Sequence, residues 1–275
     1  MRPAEVARRG ADYLDRHGVE GASHEAETLL MRILDVDRAG LFTRERGLGI
    51  AEAKAYGRAL CRRCTGVPLQ HLTGEQGFRR LVLEVRPGVF VPRPESETVV
   101  GVALDMMRDT PVVVDLCTGS GAIALAIVDE RPRATVFATD LSADAVSLAN
   151  GNAARLGLEV TVLQGDLFAP LPERLRGAID IVVANPPYLP IEDRAALPAD
   201  VRADPPSALF GGVELYERLF AEAADWLRAA GAIVVEIDAR QGAAIVAAAE
   251  AAGFVEVCVV RDLTGRDRVV AGRRP

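Results

Sequence analysis

Apolar positions in the first seventy residues recur at helical spacing. Val6, Tyr13 and Leu14 form one stripe, Ala26, Leu29, Leu30, Ile33 and Leu34 a second, and Ala55, Tyr56, Ala59 and Leu60 a third. Ser23 stands where an N-cap for the second helix is expected. From Gly74 to Val91 the period drops to two: Leu81, Leu83 and Val85 alternate with polar neighbours, and Arg86-Pro87-Gly88 marks a turn. Beyond it, short continuous apolar runs predict strands at Val112–Leu116, Thr135–Thr139, Val160–Leu163, Ile179–Ala184, Ala232–Ile237, Val255–Val260 and Val269–Ala271, with helices between the first six. Strands apolar at nearly every position are covered on both faces, so the expectation is a doubly wound α/β fold with a mostly parallel, seven-stranded sheet. Arg261–Arg268 is too short for a crossover helix, which makes the last strand an antiparallel return. The expected division is a helical domain over 1–73, a hairpin-like linker over 74–94 and the α/β domain over 95–275.

The most informative chemistry follows the fourth strand, where Asn185-Pro186-Pro187-Tyr188 closes the run Ile179–Ala184. Neither proline has a backbone N–H, so this stretch offers the carbonyls of Asn185 and Pro186 with few competing donors, and the Asn185 side-chain oxygen adds a third acceptor. Two such acceptors can take both hydrogens of an –NH2 group and aim its nitrogen, while Tyr188 supplies a flat face. Read alone, the tetrapeptide is equally a proline turn.

After the first strand, Cys117-Thr118-Gly119-Ser120-Gly121 opens a helix, a turn that brings backbone N–H groups and a positive helix end to a ligand. Asp140 ends the second strand 21 positions after Gly119, where a carboxylate can accept both hydroxyls of a ribose or, more simply, cap the next helix. After the third strand, Asp166 and Leu167 stand where an adenine amine and ring would lie. These features point to a nucleoside cofactor and leave open a nicotinamide dinucleotide or S-adenosylmethionine. A hydride-transfer enzyme has no use for the nitrogen-orienting tetrapeptide.

Composition narrows the function classes. The net charge of −7 and pI near 5.2 argue against a general nucleic-acid surface. No apolar run nears the roughly 18 residues of a membrane span, and the N-terminus lacks a signal-peptide core, so a cytoplasmic protein is expected. Cys61-Arg-Arg-Cys64 has no second cysteine pair, and the chain's three histidines make no zinc-binding spacing, so no metal is assigned.

Seven collinear segments resemble the HemK/PrmC family of protein-(glutamine-N5) methyltransferases. They are Pro68-Leu-Gln-His-Leu-Thr-Gly74, Phe90-Val-Pro-Arg-Pro-Glu-Ser-Glu97, Asp115-Leu-Cys-Thr-Gly-Ser-Gly121, Gly165-Asp-Leu-Phe-Ala-Pro170, Asn185–Tyr188, Pro206-Ser-Ala-Leu-Phe-Gly-Gly212 and Asp262-Leu-Thr-Gly-Arg-Asp-Arg268. The resemblance implies a class I, Rossmann-like S-adenosylmethionine-dependent methyltransferase fold with a small N-terminal helical domain. It implies S-adenosyl-L-methionine held by Cys117–Gly121, Asp140, Asp166, Leu167 and Asn185, and a glutamine side chain received by Asn185–Tyr188, with Asn185 and Pro186 catalytic. The implied partner is a peptide chain release factor carrying a Gly-Gly-Gln loop, docked in part by the helical domain. The family often has Gly at the position of Cys117, Thr at Ser96 and Gly at Asp238, and a longer segment after Gly212. A paralogue acting on another protein amide or a small molecule, an adenine-N6 nucleic-acid methyltransferase and a non-catalytic cofactor-binding module are the rival expectations. Glu95 and Glu97 are not assigned as a base, and Arg266, Asp267 and Arg268 are expected to form ion pairs in the terminal hairpin.

Overall fold

The computed structural model describes residues 1–275, which fall into two compact units: 1–75 with 197–203, and 76–196 with 204–275. The first is helical, with α1 (Pro3–Arg16), α2 (Ala22–Leu34), α3 (Arg38–Thr43), α4 (Ile50–Cys64) and α5 (Leu69–Thr73). Pro3 opens α1, where its missing N–H costs nothing. The Asp37 side chain caps α3 by accepting from Gly40 N at 2.7 Å. The buried edge of α1 runs through Ala7, Gly10 and Leu14, so Val6 and Tyr13 of the expected stripe are only partly covered. Gly10 is required there, because a Cβ would overlap the ring of Tyr56, whose hydroxyl donates to the Ala26 carbonyl at 3.1 Å. Arg63 of α4 and Glu25 of α2 form a two-pronged ion pair at 2.5 and 3.0 Å. Ser23 is not the cap of α2: Gly21, at φ 67°, turns the chain into the helix earlier and leaves Ser23 exposed in the first turn. Cys61 and Cys64 are both free thiols on α4.

The second unit begins with the hairpin of β1 (Glu75–Phe78) and β2 (Leu81–Glu84), followed by a short 3-10 turn (Pro94–Ser96) and α6 (Glu97–Met106). Then come β3 (Val112–Leu116), α7 (Ala122–Glu130), β4 (Thr135–Asp140), α8 (Ala143–Leu156), β5 (Val160–Gln164) and β6 (Ile179–Ala184). The chain continues through α9 (Pro206–Leu209), α10 (Val213–Trp226), β7 (Leu227–Glu236), α11 (Gly242–Ala251), β8 (Val255–Arg261) and β9 (Asp267–Arg273). The seven-stranded sheet has the order β5-β4-β3-β6-β7-β9-β8, and β9 alone runs antiparallel to its neighbours. Alternation sorts the strands between two cores. Val113, Val183, Val234 and Val269 pack with α6 and α7, whereas Val114, Val182, Val235 and Val270 pack with α10 and α11. The expected helix between β5 and β6 does not form. Pro170, Pro172 and Gly177 break that stretch, leaving one 3-10 turn at Glu173–Leu175. No helix is long and apolar enough to cross a membrane.

Strand order reverses between β3 and β6, and in open α/β sheets the crevice at such a point, at the carboxyl ends, is where ligands bind. Register sharpens this. Leu116 pairs with Ala184, and Ala184 with Val235, so Cys117, Asn185 and Glu236 follow in one row at that edge. Asn152 of α8, fully buried, secures the row from behind by donating to the carbonyls of Ser120 and Glu84, both at 3.0 Å, and accepting from Glu84 N at 2.8 Å. Asn152→Ala leaves these buried backbone groups unmet and is expected to destabilise the protein by about 2 kcal/mol, read as a lowered denaturation midpoint with unchanged slope.

Candidate active site

The turn after β3 is built on positive φ. Cys117 (φ 58°), Gly119 (58°) and Gly121 (85°) all sit in the left-handed region, where a cysteine is strained and a glycine is not. That explains why glycine is the residue expected at position 117. A Cβ on Gly121 would press on Leu125 Cδ1 at 3.1 Å and Ala149 at 3.2 Å, while nothing lies within 4 Å of one on Gly119, so the space over the turn is open. Burial pushes the Cys117 thiol far up, with Asp140 adding to it, so this sulfur is not a thiolate.

Beneath the turn lies Asp115, almost fully buried, whose Oδ2 accepts from Thr118 Oγ1 at 2.6 Å and Ala124 N at 3.1 Å. Its Oδ1 is buried without a hydrogen bond. Burial raises this carboxyl to about 7 against the pull of Thr118 and Ala124.

The three strand ends that follow are tied together. Asp140 accepts from Gly119 N and from Ser142 N, each at 2.9 Å, and Gly165 N donates to the Asp140 carbonyl at 2.9 Å. Each Asp140 oxygen thus takes one backbone N–H and keeps a lone-pair site, so organising the turn and accepting ribose hydroxyls are compatible tasks. Burial raises the Asp140 carboxyl and these two N–H bonds oppose the rise. Thr139 Oγ1 donates to the Leu167 carbonyl at 2.8 Å, holding that residue at φ 44° with its side chain buried. Asp166 is differently placed from its neighbours: it is exposed and ion-paired to Arg218 of α10 at 2.5 Å. Leu141, 68% exposed beside Asp140, was not marked by any apolar period because it stands outside the strand.

Asn185 donates from Nδ2 to Ser96 Oγ at 3.1 Å, leaving its Oδ1 as the free end. The Pro186 carbonyl takes no hydrogen bond from the chain. The Pro187 carbonyl instead lies against Gly211, where a Cβ would overlap it, in a segment held by Leu189 N to Leu209 O at 2.9 Å and Gly211 N to Leu189 O at 3.1 Å. Tyr188 is half-buried: its hydroxyl donates to Glu236 Oε1 at 3.0 Å, and its carbonyl accepts from Gln241 Nε2 at 3.2 Å. Burial, then the Glu236 charge, pushes the phenol far above its ordinary range. Ser96 and Glu236 escaped sequence reasoning as site neighbours. The available signal was Glu236 itself, an acid directly after the apolar stretch Ala232–Val235 at the same edge.

Glu97 accepts from Arg79 N at 3.0 Å, so it braces the hairpin. Arg93 pairs with the buried Asp204, which also accepts from Val91 N at 3.2 Å, fixing the approach to α6. In the last hairpin Arg268 and Arg261 pair with Asp262 and Asp267, each at 3.1 Å, while Arg266 joins through its backbone N–H to Asp262.

Residues 5–74 match the PrmC N-terminal domain and residues 86–197 the methyltransferase small domain. A release factor glutamine methyltransferase of Moorella thermoacetica is 43% identical over 261 residues, covering 91% of each chain. One from Mycolicibacterium smegmatis is 43% identical, covering 94% of this chain and 92% of its own. The chain belongs to the release factor glutamine methyltransferase family. At the level of fold, a T. thermophilus 16S rRNA methyltransferase in complex with AdoMet and guanosine superposes with TM-score 0.56 at 18% identity, over 73% of this chain and 50% of that one. A methyltransferase from Pyrococcus furiosus gives 0.53 at 18% identity, over 70% and 88%. The fold is therefore the class I methyltransferase fold, and within this family the strained Cys117 is a side chain carried where the backbone favours glycine.

Two outcomes follow from this geometry. The folded chain holds the Asp115 proton until about pH 7, whereas an unfolded aspartate sheds it near 3.8, so stability is lost as pH rises through that window. Asp115→Asn is expected to flatten the fall in melting temperature between pH 5 and pH 8 relative to wild type. Gly211→Ala should displace Pro187 and lower methyl-transfer activity at least about tenfold through misplacement of Asn185–Tyr188, with cofactor affinity, read by calorimetry, little changed.

Proposed function

We propose that this chain methylates N5 of a glutamine side chain in a peptide chain release factor, using S-adenosyl-L-methionine. The observation that carries this reading is the adjacency of the Cys117–Gly121 turn and the Asn185–Tyr188 acceptor across one strand pair. Family membership supports the glutamine amide as the acceptor and the release factor as its bearer. The N-terminal helices, matching the PrmC N-terminal domain, are the surface proposed to dock that protein. Such a substrate belongs to the cytoplasm, and the net charge of −7 supports protein over nucleic acid as the partner.

The site fits the cofactor. Open space over Gly119, two spare lone-pair sites on Asp140 and an exposed apolar Leu141 suit an adenosine. Cys117, Thr118, Gly119, Ser120 and Gly121 would line the methionyl part, Asp140 the ribose, and Leu167 with Leu141 the adenine. Asp166 reaches the adenine amine only by sharing its carboxylate with Arg218. When bound, S-adenosylmethionine supplies a sulfonium methyl as the electrophile.

The chain's own task is the nitrogen. An amide nitrogen is a weak nucleophile because its lone pair is delocalised into the carbonyl. Asn185 Oδ1 and the Pro186 carbonyl accept its two hydrogens, which raises electron density on nitrogen, stabilises positive charge as it develops and fixes a near-attack geometry. Pro187 and Tyr188 shape the slot around the side chain. Glu97 accepts from Arg79 N and is not assigned as a base; the proton passes to solvent after methyl transfer.

Asn185→Ala is expected to lower methyl transfer by at least about a hundredfold while cofactor binding is kept. Incubation with labelled S-adenosylmethionine and purified release factor, followed by mass spectrometry of the modified peptide, checks both claims. Label on a residue other than glutamine, or wild-type turnover by the variant, overturns the reading.

A further inference from the structure

Just beyond the acceptor tetrapeptide the chain makes a turn that packing does not hold. Leu189 is fixed by its backbone bonds to Leu209 and Gly211, and after Pro190 a 3-10 turn runs over Ile191–Ala195 without one buried residue. Its backbone bonds are internal: Asp193 N to the Pro190 carbonyl at 3.1 Å, and Ala196 N to the Asp193 carbonyl at 2.9 Å. From Pro190 to Ala196 a single group bonds outside the turn, the Asp193 carboxylate, which accepts from Arg240 Nη2 at 2.7 Å.

Arg240 lies in the loop between β7 and α11 and is aimed by Asp238. That carboxylate accepts from Arg240 Nε at 2.9 Å, from Nη2 at 2.7 Å and from the Arg240 backbone N–H at 2.8 Å. The Asp238 side chain is only 12% exposed against 61% for Arg240, so the planar guanidinium is gripped at its inner edge and reaches outward to Asp193. Gln241, the next residue, donates to the Tyr188 carbonyl at 3.2 Å. One loop therefore holds the chain at Tyr188 and again at Asp193. Between those two points stands Ile191, an apolar side chain 56% exposed.

We propose that the 191–195 turn is the rim over which the substrate protein's loop enters the acceptor slot, with Ile191 as its apolar contact and Arg240, aimed by Asp238, as the positioning residue that holds it. This rests on Asn185 being the acceptor of a glutamine nitrogen in a protein.

A single exposed isoleucine is ordinary on a protein surface. This one differs in its place and in its support. Three residues of chain keep Ile191 within about 11 Å of Tyr188, at the mouth of the slot. A glutamine whose side-chain nitrogen meets Asn185 brings its own backbone and its neighbours to that mouth, so the occupant is the polypeptide flanking the acceptor glutamine. Ile191 offers it an apolar contact, and Glu192, Asp193 and Arg194 surround that contact with polar groups. The two carboxylates on Arg240 replace packing as the support of the turn. Holding the turn in place beforehand removes an ordering cost from binding and leaves the transfer step alone.

The test compares Ile191→Ala, Arg240→Ala, Asp238→Ala and Asn185→Ala in the full chain, with labelled S-adenosylmethionine and release factor as substrates. Ile191→Ala and Arg240→Ala are each expected to raise KM for the release factor about fivefold or more, with kcat within about twofold of wild type. Cofactor affinity by calorimetry and melting temperature stay unchanged, a split that a merely structural role would not produce. Amide hydrogen exchange at Asp193 and Ala196 is expected to quicken in Arg240→Ala and Asp238→Ala but not in Ile191→Ala. A wild-type KM in Ile191→Ala overturns the proposal, as do unchanged exchange in Arg240→Ala and a loss that falls on kcat instead of KM. If Asp238→Ala fails to fold, Arg240→Ala, at an exposed side chain, decides alone. Activity retained in Asn185→Ala shows that the acceptor reading has failed, whereas an inactive Asn185→Ala beside wild-type KM in the variants at 191 and 240 shows that only this inference has.

Discussion

The register of three parallel strands is the constraint on which the site depends. Because β3, β6 and β7 end level, the residues that leave the sheet at Cys117 and Asn185, and the last residue of β7 at Glu236, stand in one row. A slip of one residue in any of them would exchange the two cores and carry its functional residue to the opposite face. The tetrapeptide proposed to aim the nucleophile is therefore carried at the end of a strand whose every residue is buried.

Onto that frame the chain adds local strain. Cys117 and Leu167 are non-glycine residues at positive φ beside the proposed cofactor site; Thr139 holds Leu167 through its carbonyl, and Thr118 N to Thr139 O anchors the residue next to Cys117. Such positions persist only where neighbours over-determine them. Asp140 is one of those neighbours, gripping the turn through Gly119 while keeping capacity for a ligand.

Much of this was legible in the sequence because the strands are continuous apolar runs and their ends carry unusual residues. β3 and β6 were read to the residue, since Pro111 and the tetrapeptide after Ala184 bound them sharply. The helix expected between β5 and β6 failed because apolar spacing there is overruled by two prolines and a glycine. The start of α2 was misplaced because a serine near a helix start reads as a cap, while the real determinant was the backbone freedom of Gly21. The partners of Asn185 were illegible for a different reason. Ser96 lies 89 positions away in a 3-10 turn, and Glu236, the partner of Tyr188, ends another strand, so only tertiary packing and register bring them to this edge.

The contact between Gly211 and the Pro187 carbonyl has a consequence for product. With that oxygen packed against the chain, the acceptors proposed for the substrate nitrogen are reduced to two, Asn185 Oδ1 and the Pro186 carbonyl, which would match a nitrogen bearing two hydrogens. A nitrogen that already carries one methyl has a single hydrogen left. It would leave one of those acceptors unmet and press its methyl where a hydrogen belongs. On the proposed assignment of Asn185 and Pro186, the slot itself would count the reaction: one methyl added, and a product bound less well than the substrate it came from.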